Sequence, residues 1–302
     1  YINEIKKSDV IVNMGGGYLT TNNNTDYFGL LLTLLPIYIA KVYKKKILFL
    51  PMTVGPFANV HHKNLSYGVM KNTTVLARDQ ITLNLIEQSG ISNKINAFFA
   101  PDLALFLEDK IKTPMKKKYI VLTARDWFND KQKQDRYEKS LVDLINHAWS
   151  KYKLRTIFIP MARNEIEDND NNVAKRLSKR IRKKGIFSVF QPTSISDVRA
   201  KLGGAMISVC TRMHSAILSA TVKTPFIAIG YGHKTLGLVK NIGIENWHID
   251  IKDVNKEALI EMFDTLRKEQ SYKQFIKTVD SYLKKNKRYK HKIIQELRYQ
   301  IA

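Results

Sequence analysis

The segment Cys210-Thr211-Arg212-Met213-His214-Ser215-Ala216-Ile217 sets a guanidinium and an imidazole two residues apart, directly after the apolar run Ala205-Met206-Ile207-Ser208-Val209. That run has the composition of a buried strand. Arg212 and His214 then stand at its carboxyl end, where open α/β sheets bind their ligands. A helix expected over Ser215 to Ala220 would aim free backbone N–H groups at the same place, and an arginine offers a planar fork of donors for carboxylate or phosphate. The chemistry indicated is capture of a small anion beside an imidazole that exchanges protons near neutral pH. The alternative is structural: Arg212 pairs with a carboxylate and His214 caps the helix.

Other strand ends carry similar material. Gly15, Gly16 and Gly17 follow the strand-like Val10-Ile11-Val12, and three glycines there permit a turn at positive φ and close approach by a ligand. The stretch lacks both the Gly-x-Gly-x-x-Gly spacing of a dinucleotide fingerprint and the Gly-Lys-Ser/Thr of a P-loop, so a plain tight turn is the alternative. Thr53-Val54-Gly55-Pro56 is a second glycine turn after a strand. Ala77-Arg78-Asp79 ends a third, and the role expected of Asp79 is a link from the loop to the following helix. Ala100-Pro101-Asp102 places a carboxylate after a fourth strand, where it can also serve as a helix N-cap. Thr123-Ala124-Arg125-Asp126 closes the set. Because every one of these motifs follows a strand, a single cleft is expected.

Positioning them requires alternating strands and crossover helices, and apolar β-branched runs do alternate with longer amphipathic segments. The expected strands are Val10–Asn13, Ile47–Pro51, Thr74–Ala77 and Ala97–Ala100, then Tyr119–Thr123, Thr156–Ile159, Phe187–Phe190, Ala205–Val209 and Phe226–Ile229. Glu108 to Lys118, with Pro114 and a lysine run, reads as a linker, and Asn22-Asn23-Asn24 as loop. Tyr137, Leu141, Leu144, Ile145 and Ala148 mark one buried face of a helix from Tyr137 to Trp149. The tail from Asn255 to Tyr299 is helical in pattern throughout, with Asn255 as its N-cap. The fold class expected is α/β: a Rossmann-like lobe over residues 1–110, a second over 115–252 carrying the anion site, and a basic helical tail over 253–302.

With 302 residues, 44% hydrophobic and 25% charged, the chain can bury a sizeable core. It opens on Tyr1 and is expected to be a piece of something longer. The single cysteine, Cys210, excludes an intrachain disulfide and fits a reducing compartment, and no Cys/His spacing suggests a metal site. Phe28 to Ala40, interrupted by Pro36, falls short of the ~20 residues that span a bilayer and reads as a core helix. The net charge of +23 favours anionic partners, and much of it sits in Lys175 to Lys184 and in the tail from Lys284. Neither run interleaves aromatics in an RNA-binding pattern, so no nucleic-acid partner is expected. Peripheral contact with an anionic membrane, from the cytoplasmic side, is the expectation for the tail. A solvated helix face is the alternative.

In order and wording these segments resemble the polysaccharide pyruvyl transferase family. The resemblance runs from about Asp9 to Lys240 and rests on the Gly15-Gly16-Gly17 turn, Thr53-Val54-Gly55-Pro56, Arg78-Asp79, Pro101-Asp102, Arg125, Thr211-Arg212-Met213-His214, Thr224-Pro225-Phe226-Ile227-Ala228-Ile229 and Lys234. Members of that family begin with a further strand and a Gly-Asn-x-Gly-Asp turn. The resemblance implies a fold similar to the GT-B glycosyltransferases and transfer of a pyruvyl group from phosphoenolpyruvate, as donor substrate and without a cofactor, to two hydroxyls of a sugar or glycolipid acceptor. On that reading Arg212, Arg125 and Lys234 bind the donor's carboxylate and phosphate. Arg78 and the glycine turn also serve binding, His214 is the general acid, and Asp102 or Asp79 is the base for the sugar hydroxyl. A nucleotide-sugar glycosyltransferase of similar shape commonly holds its ribose with a Glu-rich segment in the second lobe, and no Asp or Glu lies between Val209 and Gly243. A basic module for anionic surfaces or nucleic acid, and an inactive relative, are the other readings.

Overall fold

The apolar runs form two wholly parallel sheets, one of four strands and one of six. The computed structural model describes residues 2–21, 23, 26–107, 118–163 and 169–301. Of the stretch expected as a linker, all but Lys118 lies outside the described residues, as do Asn22 and Asn24. The chain divides into two compact units, Tyr1–Leu103 with Lys285–Ala302, and Ala104–Lys284.

The first unit runs α1 (Ile2–Lys7), β1 (Val10–Asn13), α2 (Tyr27–Val42), β2 (Lys46–Met52), α3 (Val60–Met70), β3 (Thr74–Ala77), α4 (Gln80–Glu87) and β4 (Asn96–Phe99). Its strands lie side by side in chain order. Leu30, Leu34 and Ile37 of α2 share a core with Phe49, Met52, Met70 and Val75. The expectation of a core helix at Phe28 to Ala40 needs correction, because only this one stripe of α2 is buried. Phe28, Leu32, Leu35 and Tyr38 are exposed among the described residues. The segment is apolar almost all round, and helical spacing buries Leu30, Leu34, Ile37 and Ala40.

The second unit runs β5 (Tyr119–Thr123), α5 (Lys131–Tyr152), β6 (Arg155–Phe158), α6 (Asp170–Arg180), β7 (Phe187–Val189), α7 (Ile195–Gly203), β8 (Ser208–Cys210), α8 (Met213–Thr221), β9 (Phe226–Gly230), α9 (His233–Ile242), β10 (His248–Asp250) and α10 (Lys256–Arg267), followed by α11 (Glu269–Ile301). The sheet order is β10-β9-β8-β5-β6-β7. The chain therefore builds outward from β5 through β6 to β7, returns to the other side of β5, and builds outward again through β8, β9 and β10. The reversal between β5 and β8 is a topological switch point, where open α/β sheets leave a crevice at their carboxyl edge.

Three boundaries differ from expectation. β8 begins at Ser208 rather than Ala205, because the Ala205 N–H still bonds back to Leu202 in the closing turn of α7. The helix expected from Ser215 starts two residues earlier, with Arg212 as its N-cap. The tail breaks at Lys268 into α10 and α11, and Asn255 caps α10 by accepting from the Ala258 N–H at 2.8 Å. β10 is a three-residue strand whose His-Ile-Asp sequence gives no apolar run. The end of α11 belongs to the first unit, where Tyr289 meets Phe99 edge-on and the Lys292 ammonium lies 3.9 Å from the centre of the Phe98 ring.

Candidate active site

At the switch point β5 ends at Thr123 and β8 at Cys210, and the two ends are bolted together. The Thr211 N–H donates to Thr123 Oγ1 at 3.1 Å, the Tyr137 hydroxyl of α5 meets Thr211 Oγ1 at 2.8 Å, and Thr123 Oγ1 lies 2.9 Å from Ser215 Oγ. All four side chains are buried. Burial pushes the Tyr137 phenol well above its ordinary pKa, which keeps it a neutral hydrogen-bonding strut. The Cys210 thiol is also buried and pushed up by desolvation, so it packs as a small hydrophobe and not as a nucleophile.

This frame presents two arginines. Arg212 places Nη2 at 2.5 Å and Nε at 3.3 Å from the carboxylate of Asp170, a buried residue that also accepts from the Met161 and Ala162 N–H groups at 2.9 and 3.0 Å. The pairing alternative for Arg212 is thus realised, and the pair fixes the guanidinium in one orientation at the strand end. His214 is exposed on the first turn of α8, while the N-cap position falls on Arg212. Arg125 lies across an aromatic pair. Its guanidinium carbon is 4.7 Å from the centre of the Tyr231 ring and 5.4 Å from that of Trp127, and the two rings are 4.5 Å apart. Its Nε donates to the Asp126 carbonyl, while the Asp126 carboxylate pairs with Arg176.

Tyr231 is set between two glycines in the turn from β9 to α9. A Cβ on Gly230 would lie 2.2 Å from His248 Nε2, so glycine is what lets the β10 histidine close on β9. Lys234 sits half-buried on the first turn of α9.

The helix starts along this edge fall into two kinds. Asp130 caps α5, Asn169 caps α6, Ser194 and Asp197 form a capping box on α7, and Asn255 caps α10. By contrast, Arg212 and Gly232, the N-caps of α8 and α9, make no side-chain capping bond. Arg212 is itself the N-cap of α8 and Lys234 lies in the first turn of α9, so each helix start adds partial positive charge near a cation. No Asp or Glu lies between Val209 and Gly243, and the carboxylate paired with Arg212 at this edge comes from Asp170 of α6.

The strand ends of the first unit are bound to one another instead. A Cβ on Gly15 would fall 2.3 Å from the Pro51 carbonyl oxygen, so the glycine turn lies flat against β2; the Thr53 N–H then donates to Gly16 at 2.8 Å and the Gly55 N–H to Leu19 at 2.7 Å. Gly17 is half-buried in the same turn. Arg78 is buried, donating from Nη2 and Nε to Thr53 Oγ1 at 2.7 and 3.2 Å and from Nη1 to Asp102 at 2.9 Å. Asp79 caps α4 through the Thr82 N–H at 2.7 Å, and its other oxygen accepts from the Thr53 hydroxyl at 3.3 Å. Asp79 thereby links the loop to the helix, the role its position suggested.

Three members of the second unit's cluster carry little signal in the sequence. Asp170 sits in a polar run 42 residues before its arginine, and Trp127 and Tyr231 converge only when β5 and β9 enter one sheet. The Gly-Tyr-Gly step, an aromatic held by two small residues at a strand end, is the one legible hint. Among the described residues no group of three or more His, Cys, Asp or Glu is placed to hold a metal ion, and no helix is long and apolar enough to cross a membrane.

The model of one protein family, polysaccharide pyruvyl transferase, matches residues 1–233. The chain belongs to the polysaccharide pyruvyl transferase family. It is 23% identical over 279 residues to the amylovoran biosynthesis protein AmsJ of Erwinia amylovora, a match covering 86% of this chain and 66% of that relative, so the chain spans about two thirds of the relative's length. Solved structures share the fold at low identity. Staphylococcus aureus MnaA with UDP gives a TM-score of 0.62 at 12% identity, covering 92% of this chain and 73% of that one. Anabaena HepE in complex with UDP and glucose gives 0.62 at 11%, covering 98% and 79%. The UDP-GlcNAc 2-epimerase of Methanocaldococcus jannaschii gives 0.57 at 16%, covering 89% and 75%. The fold of this family member is thus GT-B-like, with two parallel sheets and a long C-terminal helix.

Proposed function

We propose that this protein transfers a pyruvyl group from phosphoenolpyruvate to two hydroxyls of a sugar in a cell-surface polysaccharide or its lipid-linked precursor. The observation that carries the reading is the cationic edge at the β5/β8 switch point, where Arg125, Arg212 and Lys234 stand beside two helix starts without side-chain caps. Phosphoenolpyruvate has a carboxylate and a phosphate within a few ångströms, and such an edge suits both.

The reaction begins with proton addition to the methylene carbon of the enol, assigned to His214, which leaves an oxocarbenium-like carbon next to the carboxylate. The first sugar hydroxyl adds to that carbon and loses its proton. The C–O bond to phosphate then breaks with its electron pair on the phosphate, and the second hydroxyl closes the ketal as its proton departs. The products are the cyclic ketal and inorganic phosphate. The base for the sugar hydroxyls is proposed to be Asp102 or Asp79; in the ground state Asp102 is paired with Arg78, and Asp79 accepts from the Thr82 N–H and the Thr53 hydroxyl. The tail from Lys284 is proposed to rest on an anionic membrane, at ~1 kcal/mol for each cation near the surface.

The test is incubation with labelled phosphoenolpyruvate and a panel of hexose acceptors, following phosphate release. His214→Gln is expected to retain donor binding and lose turnover by about 10²–10⁴-fold, the usual contribution of a general acid. A near-normal rate per folded molecule in that variant ends the assignment.

A further inference from the structure

The cationic edge continues past the arginine pair. Trp127, which supports Arg125 on one side, also borders a groove of about 970 Å³ between the loop entering α5 and the turn entering α10, wholly within the second unit. Trp127 is 36% exposed, and Phe128 lies beside it in the lining. Lys133, Arg136 and Lys139 of α5 stand on one wall and Lys252 and Lys256 on the other. Among the described residues none of these five cations has a carboxylate within ion-pair distance, although Asp143, Asp253 and Glu257 share the lining. Where α5 meets α6 the pattern is the reverse: Arg176 and Arg180 are tied to Asp126, Glu138 and Asp135. Five cations against three carboxylates in one lining, around a partly exposed indole, suit an anion with an apolar face.

We propose that this groove binds a negatively charged saccharide, the aromatic floor taking the apolar face of a pyranose and the lysine walls its phosphate or carboxylate groups. Trp127 joins the groove to the Arg125 cluster, so a saccharide lying here runs along the edge that holds the proposed donor site. Identifying that saccharide as the pyruvyl acceptor rests on the proposed pyruvyl transfer; the binding itself does not.

The test is calorimetric titration, without phosphoenolpyruvate, of trigalacturonate, glucose 1-phosphate, neutral maltotriose and inorganic phosphate. Both charged sugars are expected to bind about ten-fold or more tightly than maltotriose, and glucose 1-phosphate more tightly than phosphate alone. The double variant Lys252→Glu, Lys256→Glu is expected to lose about ten-fold or more of that affinity while keeping its melting temperature and its affinity for phosphoenolpyruvate. Trp127→Ala is expected to weaken the sugars and leave inorganic phosphate unchanged. Tighter binding of trigalacturonate than of glucose 1-phosphate identifies a carboxylated chain, and the reverse a phosphorylated one. The proposal is overturned if maltotriose binds as well as the charged sugars, if phosphate alone matches glucose 1-phosphate, or if the double variant binds like the parent. Charged-sugar binding in a protein that ignores phosphoenolpyruvate would keep the groove and discard the donor reading.

Discussion

The tripeptide Ala-Arg-Asp ends a parallel strand twice in this chain, at Ala77-Arg78-Asp79 after β3 and at Ala124-Arg125-Asp126 after β5, and the two copies do different work. In the first, Arg78 is buried under Thr53 and Asp102, and Asp79 caps α4. In the second, Arg125 lies on the rings of Trp127 and Tyr231, and Asp126 is an exposed partner of Arg176. The difference lies in the distance from each strand to its next helix. After β3 the helix starts at once, so its aspartate must serve as the cap. After β5 there are seven residues before α5, which takes Asp130 as cap instead, leaving the arginine to the sheet edge. Topology adds to this: β3 is an ordinary neighbour in a sequentially ordered sheet, and β5 flanks the switch point.

The largest effect that sharpens this contrast is expected at Arg78. Arg78→Ala removes the guanidinium from Asp102 and Thr53 and should lower stability by about 3–5 kcal/mol, the usual result of removing one partner of a buried pair. Chemical denaturation measures it, and a loss below about 1 kcal/mol would mean the cluster is solvated. Next comes Asp79→Ala, which removes a helix cap and should cost about 0.5–2 kcal/mol with the rest of the first unit intact. Smallest is Asp126→Asn, the matching position in the second copy, whose exposed pair with Arg176 should contribute about 0–1 kcal/mol and fade with added salt. Equal costs for Asp79→Ala and Asp126→Asn would erase the distinction between the two copies.

Much of this architecture is legible in the sequence, because parallel strands leave continuous apolar runs: the largely buried Thr74–Ala77 and Tyr119–Thr123, and also the partly exposed edge strand Val10–Asn13, have the same ends in sequence and structure. β10 is not legible, since three residues with a histidine and an aspartate carry no such run. The exposed stripe of α2 is hidden for the opposite reason, an apolar pattern with no polar face to mark its outside. For the site, the strand-end arginines stand out through their motifs. What the sequence does not display is their restraint, because Asp170 and Tyr231 reach Arg212 and Arg125 only through the sheet order.

On the proposed function, the second copy's arginine serves a ligand while the first copy's serves the fold. Calorimetric titration of phosphoenolpyruvate into the parent protein and into Arg125→Ala tests it most directly, with denaturation curves on the same samples. Arg125→Ala should lose about 10–100-fold in affinity, the value of one or two charge-assisted hydrogen bonds, while its stability stays within about 1 kcal/mol of the parent. Unchanged affinity in Arg125→Ala, or a stability loss as large as that of Arg78→Ala, would contradict the account.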